Sequence, residues 1–300
     1  MGMFKWAEEE SKGSPLFAAA LGAGALASEP AARYLSNKVL VPSMQNVGQT
    51  IAAAQPLEQE VIKNLKAKLI DKNLVDKLHI IQDKKVGDAF VRVPKTYLPL
   101  RSEVESRIQS GGLKTLEGKV NPIKAINDIR KVRGFVSTGA IPDAVSLAHE
   151  LGHATSINQA SKLRSSAPYR MLDAIGRHVA QNSKKNAIVA ALAAGSFKSD
   201  DDRKWLVPGL MGASQLPLLA EEATASVKAL NALKAIKDLP SPTVGVVGEE
   251  SAKLLAPAVM ENAGKYLRRA WGTYGLASAG LLAAPLLAIK AREQFDKSRD

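Results

Sequence analysis

The stretch Ser146–Thr155 reads SLAHELGHAT and contains the pattern His-Glu-x-x-His. Residues four apart in an α-helix lie one turn apart on the same face, so His149 and His153 would present their imidazoles side by side. Two imidazoles at that spacing can share one zinc ion. Glu150 would lie about 100° around the helix from His149, where it could take a proton from a water molecule. The stretch therefore predicts a metal-binding helix.

An alternative interpretation is a surface or core helix that carries two histidines by chance. The chain has only four histidines, which makes a chance pairing at this spacing uncommon. The flanking residues also favour a metal helix. Pro142-Asp143 is a good helix start, and Gly134–Gly139 is typical of a strand. We expect that strand to form a sheet edge that holds an extended peptide by main-chain hydrogen bonds.

Composition restricts the kinds of site that this chain can build. Among its 300 residues there is no cysteine, so a metal must be bound by His, Asp or Glu. Lysine and arginine exceed aspartate and glutamate by 41 − 29 = +12, a basic balance compatible with nucleic acid, an anionic membrane surface or simple solubility. The lysines are scattered and only 5% of residues are aromatic, so nucleic acid is not expected as a partner.

Four apolar segments suggest contact with a membrane. They span residues 13–28, 186–197, 205–220 and 271–289. Only the last approaches the roughly 20 residues that a spanning helix needs. Basic residues flank it on both sides, and Trp271 and Tyr274 could anchor one end at the membrane interface. We therefore predict a membrane localisation, with a membrane helix at 271–289 and lipid as a partner.

Helical periodicity dominates the rest of the chain. Apolar residues recur at helical spacing in Pro56–Leu78, and Asn121–Val132 and Ser166–Gln181 follow the same pattern. Two short strands are expected at His79–Ile81 and Ala89–Val93, joined as a hairpin. The predicted fold class is mainly α with a small β-sheet, or α+β, in which Ala/Gly-rich apolar helices accompany the metal helix.

A catalytic zinc site needs a third protein ligand, and a downstream helix with two adjacent glutamates is the clearest source. Glu222 shares its face with the small residues Ala225, Ser226 and Ala229, which would let this helix approach the metal helix closely. Glu221 shares its face with Lys228, which looks like the solvent side. We therefore favour Glu222 over Glu221 as the ligand. The alternative is that both are solvated charges at a helix start.

The two remaining histidines fit structural roles better than catalytic ones. His79 is interpreted as an ordinary strand residue. His178 lies at the margin of an apolar helix face, where it could stabilise an oxyanion or be a half-exposed structural residue. We favour the structural interpretation for both.

Together these motifs resemble the membrane-associated neutral zinc metallopeptidases of bacteria, over roughly Pro142 to Ile289. The resemblance rests on the His-Glu-x-x-His stretch and on a downstream Glu-x-x-Ala-Ser pattern that begins at Glu222. It implies a zincin-like fold of the gluzincin type, with zinc held by His149, His153 and Glu222 and with Glu150 as the general base. The chain departs from the family at Thr224, where an aspartate is usual.

These observations predict a zinc-dependent metalloendopeptidase that acts on a peptide or protein substrate at a membrane. The alternative is a membrane-inserting or structural protein, for instance of an envelope or particle, with a vestigial zinc helix. Three parts are expected along the chain. They are an apolar N-terminal helix or anchor at residues 1–30, a metallopeptidase domain at 31–240 that includes the apolar segments 186–197 and 205–220, and C-terminal helices at 241–300.

Overall fold

The computed structural model describes residues 40–54, 57–70, 72–83, 86–92, 114–118, 121–139, 141–158, 166–236 and 249–298, together with a few single positions. Most of these residues are helical, and four short strands form one small sheet. This confirms the predicted fold class, mainly α with a small β-sheet. The apolar helix expected at residues 13–28 lies outside the described residues.

The helices in the described residues are numbered α1 to α9 in chain order. They are α1 Val41–Ala54, α2 Gln59–Leu69, α3 Lys72–Val75, α4 Pro122–Val132, α5 Ala144–Asn158, α6 Ala167–Gln181, α7 Ser183–Gly195, α8 Leu206–Ile236 and α9 Glu249–Lys297. A short 3-10 turn, Asp202–Trp205, precedes α8.

The sheet consists of β1 Ile80–Gln82, β2 Ala89–Arg92, β3 Lys114–Thr115 and β4 Gly134–Thr138, in the order β2-β4-β1-β3. Strand β4 pairs parallel with β1 and antiparallel with β2, while β3 pairs antiparallel with β1. All five residues of β4 are buried. The most enclosed strand therefore occupies the interior of the sheet.

Two expectations about the strands were wrong. The first two strands do not form a hairpin, because β4 lies between them and pairs with both. Strand β4 is also not at the edge; among the described strands, β2 and β3 are the outer ones. The physical reason is burial. Val136 and Ile80 pack into one core and Phe135 into another, so β4 is covered on both faces.

One helix boundary also differs from the one expected. The helix predicted over Pro56–Leu78 ends at Leu69, because Ile70 adopts an extended conformation while its side chain is buried in the core. In the apolar segment 205–220, the residues from Leu206 onwards belong to one continuous helix, α8. Pro208 lies in its first turn, where the missing N–H is harmless, and Pro217 removes only one internal hydrogen bond.

The described residues fall into two compact units. The sheet unit comprises the described residues within 43–160 and 221–269, and the helical unit comprises those within 1–42, 161–220 and 270–300. The boundaries expected from the sequence, at residues 30 and 240, lie outside the described residues.

The core of the sheet unit lies on both faces of the sheet. On one face α2, α5 and α8 contribute buried apolar side chains, among them Leu65, Leu147, Leu151 and Leu233. On the other face Ile129 of α4 packs on Ile81 and Phe135. Burying each such side chain stabilises the folded protein by roughly 1.5–3 kcal/mol. Helix α5, with the metal-ligand pattern, is therefore held in the most buried part of this unit.

The helical unit has a core of its own and carries most of the candidate membrane segment, from Ala270 onwards. Its core joins small residues of α7 and α9 to Val179 and Met211. Within α9, the segment Met260–Lys297 is long and apolar enough to cross a membrane, and it contains the predicted span 271–289. A buried core helix can have the same length and apolar composition.

Candidate metal centre

Helix α5 begins with a complete side-chain cap. The Asp143 carboxylate accepts hydrogen bonds from the backbone N–H groups of Val145 and Ser146, both at 2.8 Å, and from the Ser146 hydroxyl at 2.8 Å. A cap of this kind stabilises a helix by about 0.5–2 kcal/mol. The helix start predicted at Pro142-Asp143 is confirmed. His149 follows six residues after Asp143, nearly two turns into the helix, so the cap helps to fix the position of both histidines.

Helix α8 approaches α5 unusually closely at Gly152. A Cβ atom on Gly152 would lie 2.7 Å from the Ala225 carbonyl oxygen and 3.0 Å from the Ala225 Cα. Ala225 and Ala229 are fully buried in the same contact region. The predicted role of the small residues is confirmed: only side chains of this size allow the two backbones to come so near.

This close approach brings Glu222 of α8 onto the two histidines of α5. Its Oε2 lies 3.2 Å from the His149 Nε2 and 3.3 Å from the His153 Nε2. The two Nε2 atoms are themselves 3.2 Å apart. One ligand atom from each of the three residues therefore converges within 4.8 Å, and the group could hold a metal ion. Glu222, rather than Glu221, occupies the position predicted for the third ligand.

The two histidines use their other ring nitrogens for contacts away from this point. The His149 Nδ1 lies 3.3 Å from the Ser226 hydroxyl, and the His153 Nδ1 lies 3.5 Å from Oε1 of Glu221. Glu221 also forms an ion pair with Arg92 at the end of β2. The expectation that Glu221 faces solvent was wrong, because it is only 8% exposed.

Charges in this buried group strongly perturb one another. Burial opposes ionisation of Glu222, but hydrogen bonds from His149 and His153 outweigh it and lower the pKa of Glu222 to about 2. Burial also opposes protonation of His153, yet hydrogen bonds to Glu221 and Glu222 raise its pKa to about 10. These shifts favour a protonated His153 where two nitrogens and a carboxylate meet. A cation at the same point would replace that proton.

Glu150 lies beside the three donors without being one of them. It is buried, and burial raises the pKa of its carboxyl although both histidines lower it. The backbone of Phe90 in β2 forms a hydrogen bond with this carboxyl. The side chain is thus positioned between the metal-ligand helix and the outer strand β2, which pack against each other.

A second polar group continues from the cap of α5. The Ser146 hydroxyl lies 2.8 Å from the Tyr266 hydroxyl of α9, and Asp143 lies on its other side. Burial raises the pKa of Asp143. Ser146 is one turn before Glu150, so this hydrogen-bonded chain lies on the same side of α5 as the general-base candidate.

Of the four histidines, only two belong to the convergent group. The His79 Nε2 lies 3.3 Å from the Asp128 carboxylate on α4, and its side chain is buried. His178 is exposed on α6 and its carbonyl accepts the hydrogen bond that ends that helix. The group of donors that could hold a metal consists of His149, His153 and Glu222 among the described residues.

Sequence reasoning missed Arg92 and Tyr266 as contributors to this site, and it named Ser226 only as a small residue and not as a partner of His149. Ser226 could have been found, because it lies one turn beyond Glu222 on the same helix face. Arg92 and Tyr266 carry no such signal. They lie 129 residues from Glu221 and 120 residues from Ser146 respectively, so only folding brings them together.

Comparison with protein-family models, with curated proteins and with solved structures found no match for this chain. The chemistry of the site therefore has to be argued from its own residues.

Proposed function

We propose that the protein is a zinc-dependent metalloendopeptidase that works at a membrane. The observation that carries this proposal is the convergence of His149 and His153 with Glu222, which comes from a helix more than 60 residues later in the chain. Two imidazoles and one carboxylate are the donor set of catalytic zinc sites that keep one position open. Glu150, adjacent to this group, supplies the remaining group that peptide hydrolysis needs.

The donors fit zinc better than the common alternatives. Magnesium and calcium prefer oxygen ligands, whereas imidazole suits zinc and other transition metals. The chain contains no cysteine, so a thiolate site is excluded. When bound, zinc would polarise the peptide carbonyl and lower the pKa of water towards neutrality.

Glu150 would act as the general base and then as the general acid. Because burial raises the pKa of its carboxyl, the group accepts a proton more readily than an exposed glutamate. It would take a proton from the attacking water and deliver it to the leaving amine. Its hydrogen bond with the Phe90 backbone ties it to β2 and limits its movement.

Strand β2 is suited to hold the substrate. It is an outer strand among those described, and it packs on α5 next to Glu150. An extended peptide could add to such an edge through main-chain hydrogen bonds, which favours peptide and protein substrates over small molecules. The role that we expected for Gly134–Gly139 is therefore assigned to Ala89–Arg92.

Membrane association is supported by the apolar surface of the helical unit. The segment Met260–Lys297 has the length and composition of a spanning helix. Large apolar side chains are also exposed in this unit, including Leu192, Trp205, Leu206 and Leu287. Lipid chains would cover such side chains at less cost than water.

The decisive experiment measures zinc by elemental analysis in purified wild type and His149→Ala. We expect about one zinc per wild-type chain and a large loss in His149→Ala, while the exposed His178→Ala serves as a matched control that keeps its metal. Glu222→Ala should also lose zinc. Zinc-free wild type that binds liposomes would instead favour the alternative, a membrane-inserting or structural protein with a vestigial zinc helix.

A second measurement separates binding from catalysis. Glu150→Gln keeps the size of the side chain but removes the base, so it should retain zinc and lose cleavage of a quenched fluorescent peptide library. Undiminished cleavage in a preparation free of other peptidases would overturn the assignment of Glu150.

A further inference from the structure

The two histidines of the metal centre are held by partners of different charge. At the Nδ1 of His149 the partner is the neutral hydroxyl of Ser226, at 3.3 Å. At the Nδ1 of His153 the partner is the carboxylate of Glu221, at 3.5 Å. His153 is thus the histidine whose ring faces a carboxylate on each side, Glu221 at Nδ1 and Glu222 at Nε2.

A carboxylate beside Nδ1 decides which nitrogen of the ring carries the proton. A neutral imidazole has one N–H and one lone pair, and its N–H is drawn towards a carboxylate, which can only accept. When a metal displaces the proton from Nε2, the atom that faces His149 and Glu222, the remaining N–H stays at Nδ1 beside Glu221. The ring is then prepared to bind a metal without turning.

Arg92 holds Glu221 in this role. Its guanidinium forms an ion pair with Oε1 of Glu221, the same oxygen that faces the His153 Nδ1. Glu221 is buried, and a buried carboxylate is stable where a positive charge lies against it. Arg92 comes from β2, whereas Glu221 comes from α8. The outer strand is thereby connected to the orientation of a metal ligand.

We infer that Glu221 is a positioning residue that fixes the tautomer and orientation of His153 for metal binding, and that Arg92 holds the Glu221 carboxylate in place. This inference rests on the metal site of the proposed function. A carboxylate beside the second ring nitrogen of a histidine ligand raises the basicity of that ligand, and removal of such a carboxylate lowers metal affinity by about 10–100-fold.

The test is the zinc dissociation constant of the full-length protein, measured by competition with a chromophoric chelator. Glu221→Gln keeps the size of the side chain and removes its charge, so we expect the constant to rise by about 10–100-fold. Arg92→Gln should give a smaller rise, since it acts through Glu221. The matched control is Glu60→Gln, an exposed glutamate of the same unit, which should leave the constant unchanged.

A spectroscopic measurement on the wild type tests the inference without any variant. The chain has only four histidines, so NMR of a ¹⁵N-histidine sample loaded with zinc gives few ring signals. We expect a His153 Nδ1–H that exchanges slowly with water. In Glu221→Gln the same proton should exchange faster and shift upfield, a change that general destabilisation would not confine to one ring.

The outcomes distinguish this inference from the proposed function. Wild type that binds no zinc would overturn the proposed function and this inference with it. Wild type that binds zinc, with an unchanged constant in Glu221→Gln or with the His153 proton at Nε2, would overturn this inference alone. Weaker zinc binding in Glu221→Gln together with loss of the Nδ1–H signal would support it.

Discussion

Replacing Gly152 with alanine should destabilise the protein and weaken metal binding, because there is no room for a side chain between α5 and α8. The added Cβ would lie 3.0 Å from the Ala225 Cα and 2.7 Å from its carbonyl oxygen. Carbon atoms in favourable contact lie about 3.5–4.0 Å apart, so the helices must separate by roughly half an ångström. The opposing atoms belong to the backbone and cannot rotate away.

Two opposing effects determine how far Gly152→Ala lowers the free energy of unfolding. Overpacking of this kind costs about 1–3 kcal/mol. Alanine gains about 1 kcal/mol over glycine inside a helix. A matched control is Gly264→Ala in α9, where the added Cβ meets nothing within 4 Å. The control should be stabilised by up to about 1 kcal/mol, and the difference between the two variants isolates the cost of overpacking.

The assay is equilibrium urea unfolding of the metal-free proteins, followed by the zinc dissociation constant of each. Separating the helices withdraws Glu222 from the histidines by more than the roughly 0.2 Å that a metal site tolerates, so zinc affinity should fall in Gly152→Ala only. If Gly152→Ala proved as stable as Gly264→Ala, the close approach of α5 and α8 would be wrong.

Three further predictions concern charge and capping. Because the pKa of His153 is raised to about 10, the metal-free protein should lose stability as pH rises from about 6.5 to 10, which urea midpoints across that range would measure; a constant midpoint would contradict the shift. Asp143→Ala should cost about 0.5–2 kcal/mol in the same assay, since it removes the cap of α5, and no loss would exclude a capping role. Asp128→Ala should cost about 1–3 kcal/mol because it leaves the buried Nε2 of His79 without its partner. The partly exposed ion pair of Asp173 with Arg177 is its control, and Asp173→Ala should cost at most about 0.5 kcal/mol; equal losses would argue against the buried pair.

The parts of the fold that follow from local rules were predicted well. The helix starts at Asn121 and Ser166 are both capped by their own side chains, as their residue types suggest. Strand β4 was also expected within a residue of where it lies. Strand pairing was predicted less well, because pairing depends on contacts between distant segments. Val136 and Ile80 are 56 positions apart, and no periodicity within either strand indicates that they are neighbours.

The sequence by itself determined the metal helix, since a spacing of four residues places His149 and His153 on one face of any α-helix. It also indicated Glu222, because the small residues on its face permit a close helix contact. Only the tertiary structure decided the role of Glu221. Glu221 points about 100° away from Glu222 around α8. It still reaches His153, because an imidazole has nitrogens on two sides and Glu221 contacts the second one, Nδ1. Helical periodicity within one segment cannot show such a contact, because it depends on how α8 and β2 pack against α5.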